Sequence, residues 1–423
     1  MKTTRRQFLA LTGAASAAAA LRLDSAPAFA QTGPVKIGVL AAKAGVTAPV
    51  GESGLRGVTW AAERINAAGG ILGRKIELVI EEESSPKDTV ERFRKLVLQD
   101  KVAVVSGAVS TGVGLALGPA AEEMKAIWLA WDATTQKGVE ETIPKPKYAF
   151  RSTDNECEAV MASILTAKNW KGKFRTVAGI NPDYSYGRDN WAAFLAIMKK
   201  YGIEIQVVSE LWPKLGATDF TAHVAALQQA KPDLIFSCFW AGDTPIFLKQ
   251  AHAAGLTAAT KFVLTTGGGV HESLKKAFTP EGALLGYNSM YFDHPKASPL
   301  MKEFVRWHQE KFKEWPNYES DHGYFTIAAY RAAVERAAKA AGGAWPTTEQ
   351  TVQALEGVEV ESLSGARRFR EDHIMEATFF QGYTTHKNTY DFVTIAPIES
   401  MGTKQIQKPA GVGLYDWINS WKV

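Results

Sequence analysis

Residues 64–83 read RINAAGGILGRKIELVIEEE, from Arg64 to Glu83, and this stretch decides the fold. Upstream of it Val58, Trp60, Ala61, Ala62 and Ile65 recur at helical spacing. The run Ala67-Ala68-Gly69-Gly70 predicts the end of that helix, because glycine accepts the left-handed conformation that a helix C-cap needs. Ile76, Leu78 and Ile80 then alternate as a strand does. Another strand, Val35 to Leu40, comes before the helix. The unit is strand, helix, strand, the seed of a parallel α/β sheet.

The same alternation continues along the chain. Strands are expected at Val102–Val105 and Ala126–Trp131, with a helix closing at Ala120–Lys125 and a crossing segment at Tyr148–Ser152. The pattern then restarts. Helices are expected at Glu156–Asn169, Asn190–Tyr201, Phe220–Gln229 and Pro245–Ala254, and strands at Thr176–Ile180, Ile203–Ser209, Leu234–Phe239 and Phe262–Thr266. Two long helices, Pro299–Trp315 and Gly323–Ala341, precede a segment, Phe379–Ala396, that alternates like antiparallel strands. This is the pattern of two doubly wound, Rossmann-like α/β lobes.

The length of 423 residues suits two domains, and 46% apolar with 22% charged residues is globular composition. Thr4-Arg5-Arg6-Gln7-Phe8-Leu9 is a twin-arginine pattern, Leu9 to Leu21 is weakly apolar, and Ala28-Phe29-Ala30 is a cleavage site. About 13 apolar residues fall short of the ~20 that a membrane span needs. Residues 1–30 therefore read as a signal peptide, cut near Ala30, that delivers the chain to the periplasm. They carry Lys2, Arg5, Arg6 and Arg22 against Asp24, so +3 of the net +4 leaves with them. The mature chain is near +1, which offers no nucleic-acid surface. Cys157 and Cys238 are either a disulfide or two buried thiols, and no Cys/His cluster has zinc-like spacing.

Enzyme motifs are missing. Gly107-Ala108-Val109-Ser110-Thr111-Gly112-Val113-Gly114 follows a strand and opens a helix, yet it is neither a dinucleotide fingerprint nor a P-loop. No G-x-S-x-G elbow occurs. The turn reads either as an anion site, with Ser110 and Thr111 hydroxyls and free helix N–H groups, or as an ordinary capped strand-to-helix turn.

The wording of the N-A-A-G-G-I-L-G-R-K segment and of Asp183-Tyr184-Ser185-Tyr186-Gly187 resembles the leucine/isoleucine/valine-type periplasmic solute-binding proteins of ABC importers. The resemblance implies the type I periplasmic binding protein fold, two doubly wound Rossmann-like lobes joined by three crossing segments. Lobe 1 would comprise 34–151 plus 290–372, and lobe 2 would comprise 152–289 plus 373–423. It implies a monomer without metal or cofactor that closes on a small carboxylate ligand and docks on an ABC permease.

Carried over residue by residue, the ligand carboxylate would sit at Ser110, Thr111 and Gly112 and at Ala133 and Thr134. Tyr186, Trp240 and Phe325 would supply aromatic cleft walls. Asp132 is a departure, since the family more often has a small residue there. Gly267 is another, because amino-acid binders carry a glutamate there for the ligand ammonium. The glycine run Gly267–Gly269 would instead leave room for a larger ring. An aromatic acid is therefore the expected ligand. A branched-chain or other amino acid or amide is the alternative, with Asp132 or Asp243 replacing the missing acid. A ligand sensor for a membrane receptor and an exported enzyme are the readings from other classes.

Overall fold

The computed structural model describes residues 33–153 and 155–421; the twin-arginine segment and its cleavage site lie outside the described residues. The opening stretch folds as a chain of specific closures. Strand β1 (Val35–Ala41), helix α1 (Ala48–Ala67) and strand β2 (Ile76–Glu82) form the first unit. Helix α1 ends as a Schellman motif: Gly70 N–H donates to Ile65 O at 2.8 Å and Gly69 N–H to Asn66 O at 3.2 Å, with both glycines at positive φ. Ile71 and Arg74 then exchange both backbone hydrogen bonds around Leu72 and Gly73, whose φ of 48° and 82° define a tight hairpin turn. The Asn66 amide pairs with both backbone groups of Ile76, at 2.7 and 2.9 Å, and seats β2 beside the helix.

The first sheet continues through α2 (Pro86–Leu98), β3 (Val104–Gly107), α3 (Thr111–Met124), β4 (Trp128–Ala130), α4 (Gln136–Thr142) and β5 (Ala149–Arg151). All five strands are parallel, in the order β2-β1-β3-β4-β5. A second sheet is wound by α5 (Asn155–Trp170), β6 (Thr176–Ile180), α6 (Ser185–Lys200), β7 (Gln206–Leu211), α7 (Thr221–Ala230), β8 (Leu234–Ser237), α8 (Asp243–Ala253), α9 (Leu256–Ala259), β9 (Lys261–Leu264) and β10 (Leu284–Gly286).

The chain then runs through α10 (Pro299–Phe312), α11 (Glu319–Ala340) and α12 (Thr348–Leu355) into a small antiparallel sheet, β11 (Glu359–Ser362), β12 (Gly365–Phe369) and β13 (Met375–Glu376). It next adds β14 (Thr378–Thr385) and β15 (Thr394–Gly402) antiparallel to the second sheet, whose order is β15-β14-β10-β9-β8-β6-β7, before ending in α13 (Thr403–Ile406) and α14 (Leu414–Ser420). The strand order reverses between β1 and β3 and again between β6 and β8. Ligands of such sheets bind beyond the strand C-termini at these switch points.

Several boundaries differ from the sequence reading. The strand expected at Ile203–Ser209 lies at Gln206–Leu211, because Ile203 is spent closing α6, its N–H donating to Met198 O at 3.0 Å. Helix α6 begins at Ser185, five residues before the expected Asn190, and α11 begins at Glu319, four before Gly323. Cys157 and Cys238 are free, buried thiols.

Helix α11 crosses α1 at backbone contact. A Cβ on Gly57 would lie 1.9 Å from Ser320 O, and one on Gly323 would lie 2.2 Å from Gly54 O. Ser53 and Ser320 hydroxyls hydrogen-bond at the crossing, 2.7 Å apart. Only glycine permits this approach, and it carries the first turn of α11 to the C-terminal ends of β3 and β4.

Candidate ligand-binding site

A small enclosed cavity lies where the strand ends of the two sheets meet. On one side stand Val109 and Thr111 after β3, Asp132 after β4, and Tyr318 and Glu319 at the start of α11. Opposite are Tyr184 and Tyr186 after β6, Trp240 after β8 and Thr266 after β9, with Glu158 from α5. The backbone around it is strained. Ala108, Ala133, Thr134 and Ala241 all have positive φ, between 40° and 94°, at the ends of β3, β4 and β8. Non-glycine residues held this way cluster at ligand clamps.

The aromatic wall is wired together. Trp240 Nε1 donates to Tyr184 Oη at 3.0 Å, and Tyr186 Oη donates to Thr266 Oγ1 at 3.3 Å. Thr266 Oγ1 donates onward to Phe239 O at 3.1 Å, and Tyr318 Oη donates to Thr266 O at 3.4 Å. Burial raises the Tyr184, Tyr186 and Tyr318 hydroxyls well above their usual range, so they stay neutral donors.

The polar wall is acidic. Asp132, Glu158 and Glu319 line the cavity, and among the described residues no lysine or arginine does. Burial first, then the Asp132 charge and a hydrogen bond with it, hold Glu319 well above the ordinary carboxylate range. Behind the β3 turn, Glu83 accepts the N–H groups of Val109 and Ser110, both at 2.8 Å. Burial pushes Glu83 up to about 7, against the lowering effect of those two donors.

The structure distributes the expected site residues unevenly. Thr111, Asp132, Tyr186 and Trp240 meet at the cavity, and the buried Thr111 hydroxyl has no hydrogen-bond partner. Ser110 caps α3 beside it, but its N–H is already committed to Glu83. Gly112 follows in the first turn of α3, where a Cβ would meet only Ser110 Oγ at 3.9 Å.

Four expectations meet a different geometry. The Ala133 N–H donates to Val109 O at 3.0 Å instead of facing a ligand. Thr134 turns behind the strand end, with its methyl group over Gly114 and its buried hydroxyl unpartnered in a separate small pocket beside Trp128 and Arg151. Space at Gly267 is closed by Leu285, whose Cδ1 would be 2.5 Å from a Cβ there; a Cβ on Gly268 would meet Tyr287 at 2.8 Å and one on Gly269 would meet Tyr318 Oη at 3.0 Å, so the glycine run is already packed against its neighbours. Phe325 is fully buried against Phe369, ring centroids 4.8 Å apart, with the Arg367 guanidinium 5.3 Å over its face. It belongs to the core, nearly two helical turns past Glu319. Asp243, the other candidate acid, accepts Gly216 N–H at 3.1 Å and does not line the cavity.

Sequence reasoning did not single out Glu158, Tyr184, Thr266, Tyr318 or Glu319. Tyr184 shares a motif with Tyr186, so a signal was present. Glu319 carries none, because acids in the first turn of a helix are commonly exposed and serve the helix dipole.

Residues 34–386 match the periplasmic binding protein family. The chain is 26% identical to Leu/Ile/Val-binding protein homolog 7 of Brucella melitensis over 365 residues, 82% of this chain and 86% of that one. It is 26% identical to a leucine-, isoleucine-, valine-, threonine- and alanine-binding protein of Pseudomonas aeruginosa, over 84% of this chain and 90% of that one. The fold superimposes with a TM-score of 0.74 on an ABC-transporter solute-binding protein of Rhodopseudomonas palustris in complex with 3,4-dihydroxybenzoic acid, at 23% identity over 87% of this chain and 97% of the other. The chain belongs to the periplasmic binding protein family.

Proposed function

We propose that this member of the periplasmic binding protein family captures a small solute carrying a positively charged group and delivers it to an ABC-type membrane importer. The observation that carries the reading is the cavity wall: three carboxylates and four aromatic rings, without a lysine or arginine among the described lining residues. A cation placed there gains charge-assisted hydrogen bonds from the acids, about 1.5–3 kcal/mol each. It also gains attraction to ring faces, about 0.5–2 kcal/mol. An uncompensated carboxylate in the same place meets like charges at low dielectric. An amino acid or amine with a compact apolar body therefore fits better than a plain aromatic acid. Asp132 takes the place of the glutamate absent at Gly267.

Closure joins the two sheet units. Thr135 Oγ1 donates to Asp189 at 2.8 Å, Lys137 pairs with the same carboxylate at 3.4 Å, and Gly242 N–H donates to Val46 O at 3.1 Å. These contacts bridge the two units beside residues that line the cavity, since Asp132 precedes Thr135 and Trp240 precedes Gly242. A ligand touching Asp132 on one side and Tyr186 and Trp240 on the other adds contacts that exist only when the rim is closed, and so shifts the population to that form. The closed form is the one presented to the permease.

A second reading has its own support. The unpartnered Thr111 hydroxyl stands at the N-terminus of α3, an anion-binding arrangement, and a solved relative of the same fold holds a dihydroxybenzoate. An aromatic acid gripped at Thr111 follows from it. Thermal shift across amines, amino acids, aromatic acids and aliphatic acids separates the two. Stabilisation by amine-bearing ligands is expected; stabilisation by aromatic acids alone would replace the first reading with the second.

A further inference from the structure

At the inner end of the cavity Asp132, Glu319 and His322 bring one donor atom each to within 4.8 Å of one another. Two of those donors are orphans. Glu319 Oε2 and His322 Nδ1 have no hydrogen-bond partner, stand 3.5 Å apart, and belong to side chains that are 1% and 0% exposed. Two buried polar atoms facing each other are costly unless a shared proton or a bound cation lies between them.

The imidazole is also oriented for this. His322 Nε2 lies 3.1 Å from Asn288 Oδ1. The Asn288 amide is fixed in turn, because its Nδ2 donates to Glu158 Oε1 at 2.9 Å. Asn288 Oδ1 therefore accepts and Nε2 carries the proton, with the Ser289 hydroxyl also 3.1 Å from it, which leaves Nδ1, 3.5 Å from Glu319 Oε2, as the acceptor atom of the ring. A ligating histidine is typically oriented by just such an outer hydrogen bond. The nearby Arg367 pairs with its own acid, its Nη1 3.1 Å from Asp321 Oδ2 and its Nη2 donating to Ser289 Oγ at 2.7 Å; burial first and then the Arg367 charge hold His322 well below its usual range, so the imidazole is neutral.

We propose that Asp132, Glu319 and His322 coordinate a divalent metal ion, which enters the cleft alone or as a chelate with a small organic ligand. This rests on the reading of the cavity as a site for positive charge, and it names that charge. One imidazole with two carboxylates suits zinc, nickel, cobalt or manganese better than calcium or magnesium. Bonds of about 2.0–2.2 Å place opposite donors up to about 4.4 Å apart, so the triad closes on an ion with small side-chain adjustments. Glu158, on the same wall and held by Asn288, adds its acidity to this end of the cavity. A bound metal would also turn the corner from repelling to attracting an organic carboxylate.

The test is calorimetric titration of the chelator-treated mature protein with Zn²⁺, Ni²⁺, Co²⁺ and Mn²⁺, with Ca²⁺ and Mg²⁺ as hard-cation controls. One transition-type ion per chain is expected, with visible absorption bands when Co²⁺ is used. His322→Ala and Glu319→Gln should each lower affinity at least tenfold, and Asn288→Ala about tenfold. Should His322→Ala fail to fold, Glu319→Gln and Asp132→Asn carry the test. Absence of stoichiometric binding by the wild-type protein overturns the metal site, as does binding unchanged in both His322→Ala and Glu319→Gln. If metals fail while amines stabilise the protein, the metal inference falls alone; if amines also fail, the cation reading falls with it.

Discussion

Glu83 Oε1 accepts the backbone N–H of Ser110 at 2.8 Å, and its Oε2 accepts Val109 at the same distance. The protein's own carboxylate thus occupies donors that the sequence assigns to a ligand. Glu83→Ala would leave two buried N–H groups unpaired, each costing about 1–3 kcal/mol. The expected outcome is a loss of about 2–4 kcal/mol in denaturant-unfolding free energy and at least tenfold weaker ligand binding, because the turn that carries Thr111 loses its anchor. Unchanged binding would show that the turn is held by the strand end alone.

Thr134 and Thr111 make opposite predictions. Thr134 lies in a pocket beside Trp128 and Arg151, whereas Thr111 lines the cavity. Thr134→Ala should leave ligand affinity within about twofold, and Thr111→Ala should lower it about tenfold, the loss of one hydrogen bond to a charged group. Calorimetry with any ligand that passes the thermal-shift panel measures both. The reverse ranking would place the ligand on the other side of β4.

Gly57→Ala puts a Cβ 1.9 Å from Ser320 O. Overpacking against backbone costs about 1–3 kcal/mol, and the displaced element carries Glu319 one residue away. Both melting temperature and ligand affinity should fall. Gly112→Ala is the control, since its Cβ would enter open space, and its melting temperature should not decrease.

Asp189 joins the two sheet units through Thr135 and Lys137, contacts that the proposed closure would make. Replacing it with alanine removes contacts made only in the closed form. Ligand affinity should fall about three- to tenfold with little change in the melting temperature of the unliganded protein. Small-angle scattering should show a smaller ligand-induced decrease in radius of gyration. A full decrease would assign closure to the ligand alone.

His271 gives the pH dependence. Burial lowers its pKa from 6.5 to about 4, and its ring stacks on Phe292 at 4.5 Å. A depressed histidine is neutral in both states above pH 6.5, so its contribution is fully present there. As pH falls from 6.5 toward 4 the unfolded chain takes up a proton that the folded one refuses, and stability drops. At about 1.36 kcal/mol per pKa unit this reaches about 3 kcal/mol. The unfolding free energy of the wild-type protein should therefore fall about 3 kcal/mol further than that of His271→Gln between pH 7 and pH 4. Parallel pH profiles would remove His271 as the cause.

The chain by itself determined the architecture. Glycines at 69, 70 and 73 have few other uses than positive φ, and alternating apolar residues beyond them define a parallel α/β unit through local periodicity. Thr111, Asp132, Tyr186 and Trp240, expected from the glycine-rich turn and the family resemblance, line one cavity at strand C-termini, where such sheets place their ligands. Thr134 and Phe325, carried over from the resemblance, lie away from that cavity, the first in a pocket beside Trp128 and the second in the core against Phe369, and a short motif records neither orientation. Only the tertiary structure gathered Glu83, Asp132, Glu158 and Glu319 around one cavity and set His322 behind it. Those residues come from four separate segments, and the placing of α11 among them depends on the glycine crossing of α1 and α11. The charge of a cleft is a sum over long-range neighbours, and no local spacing records it.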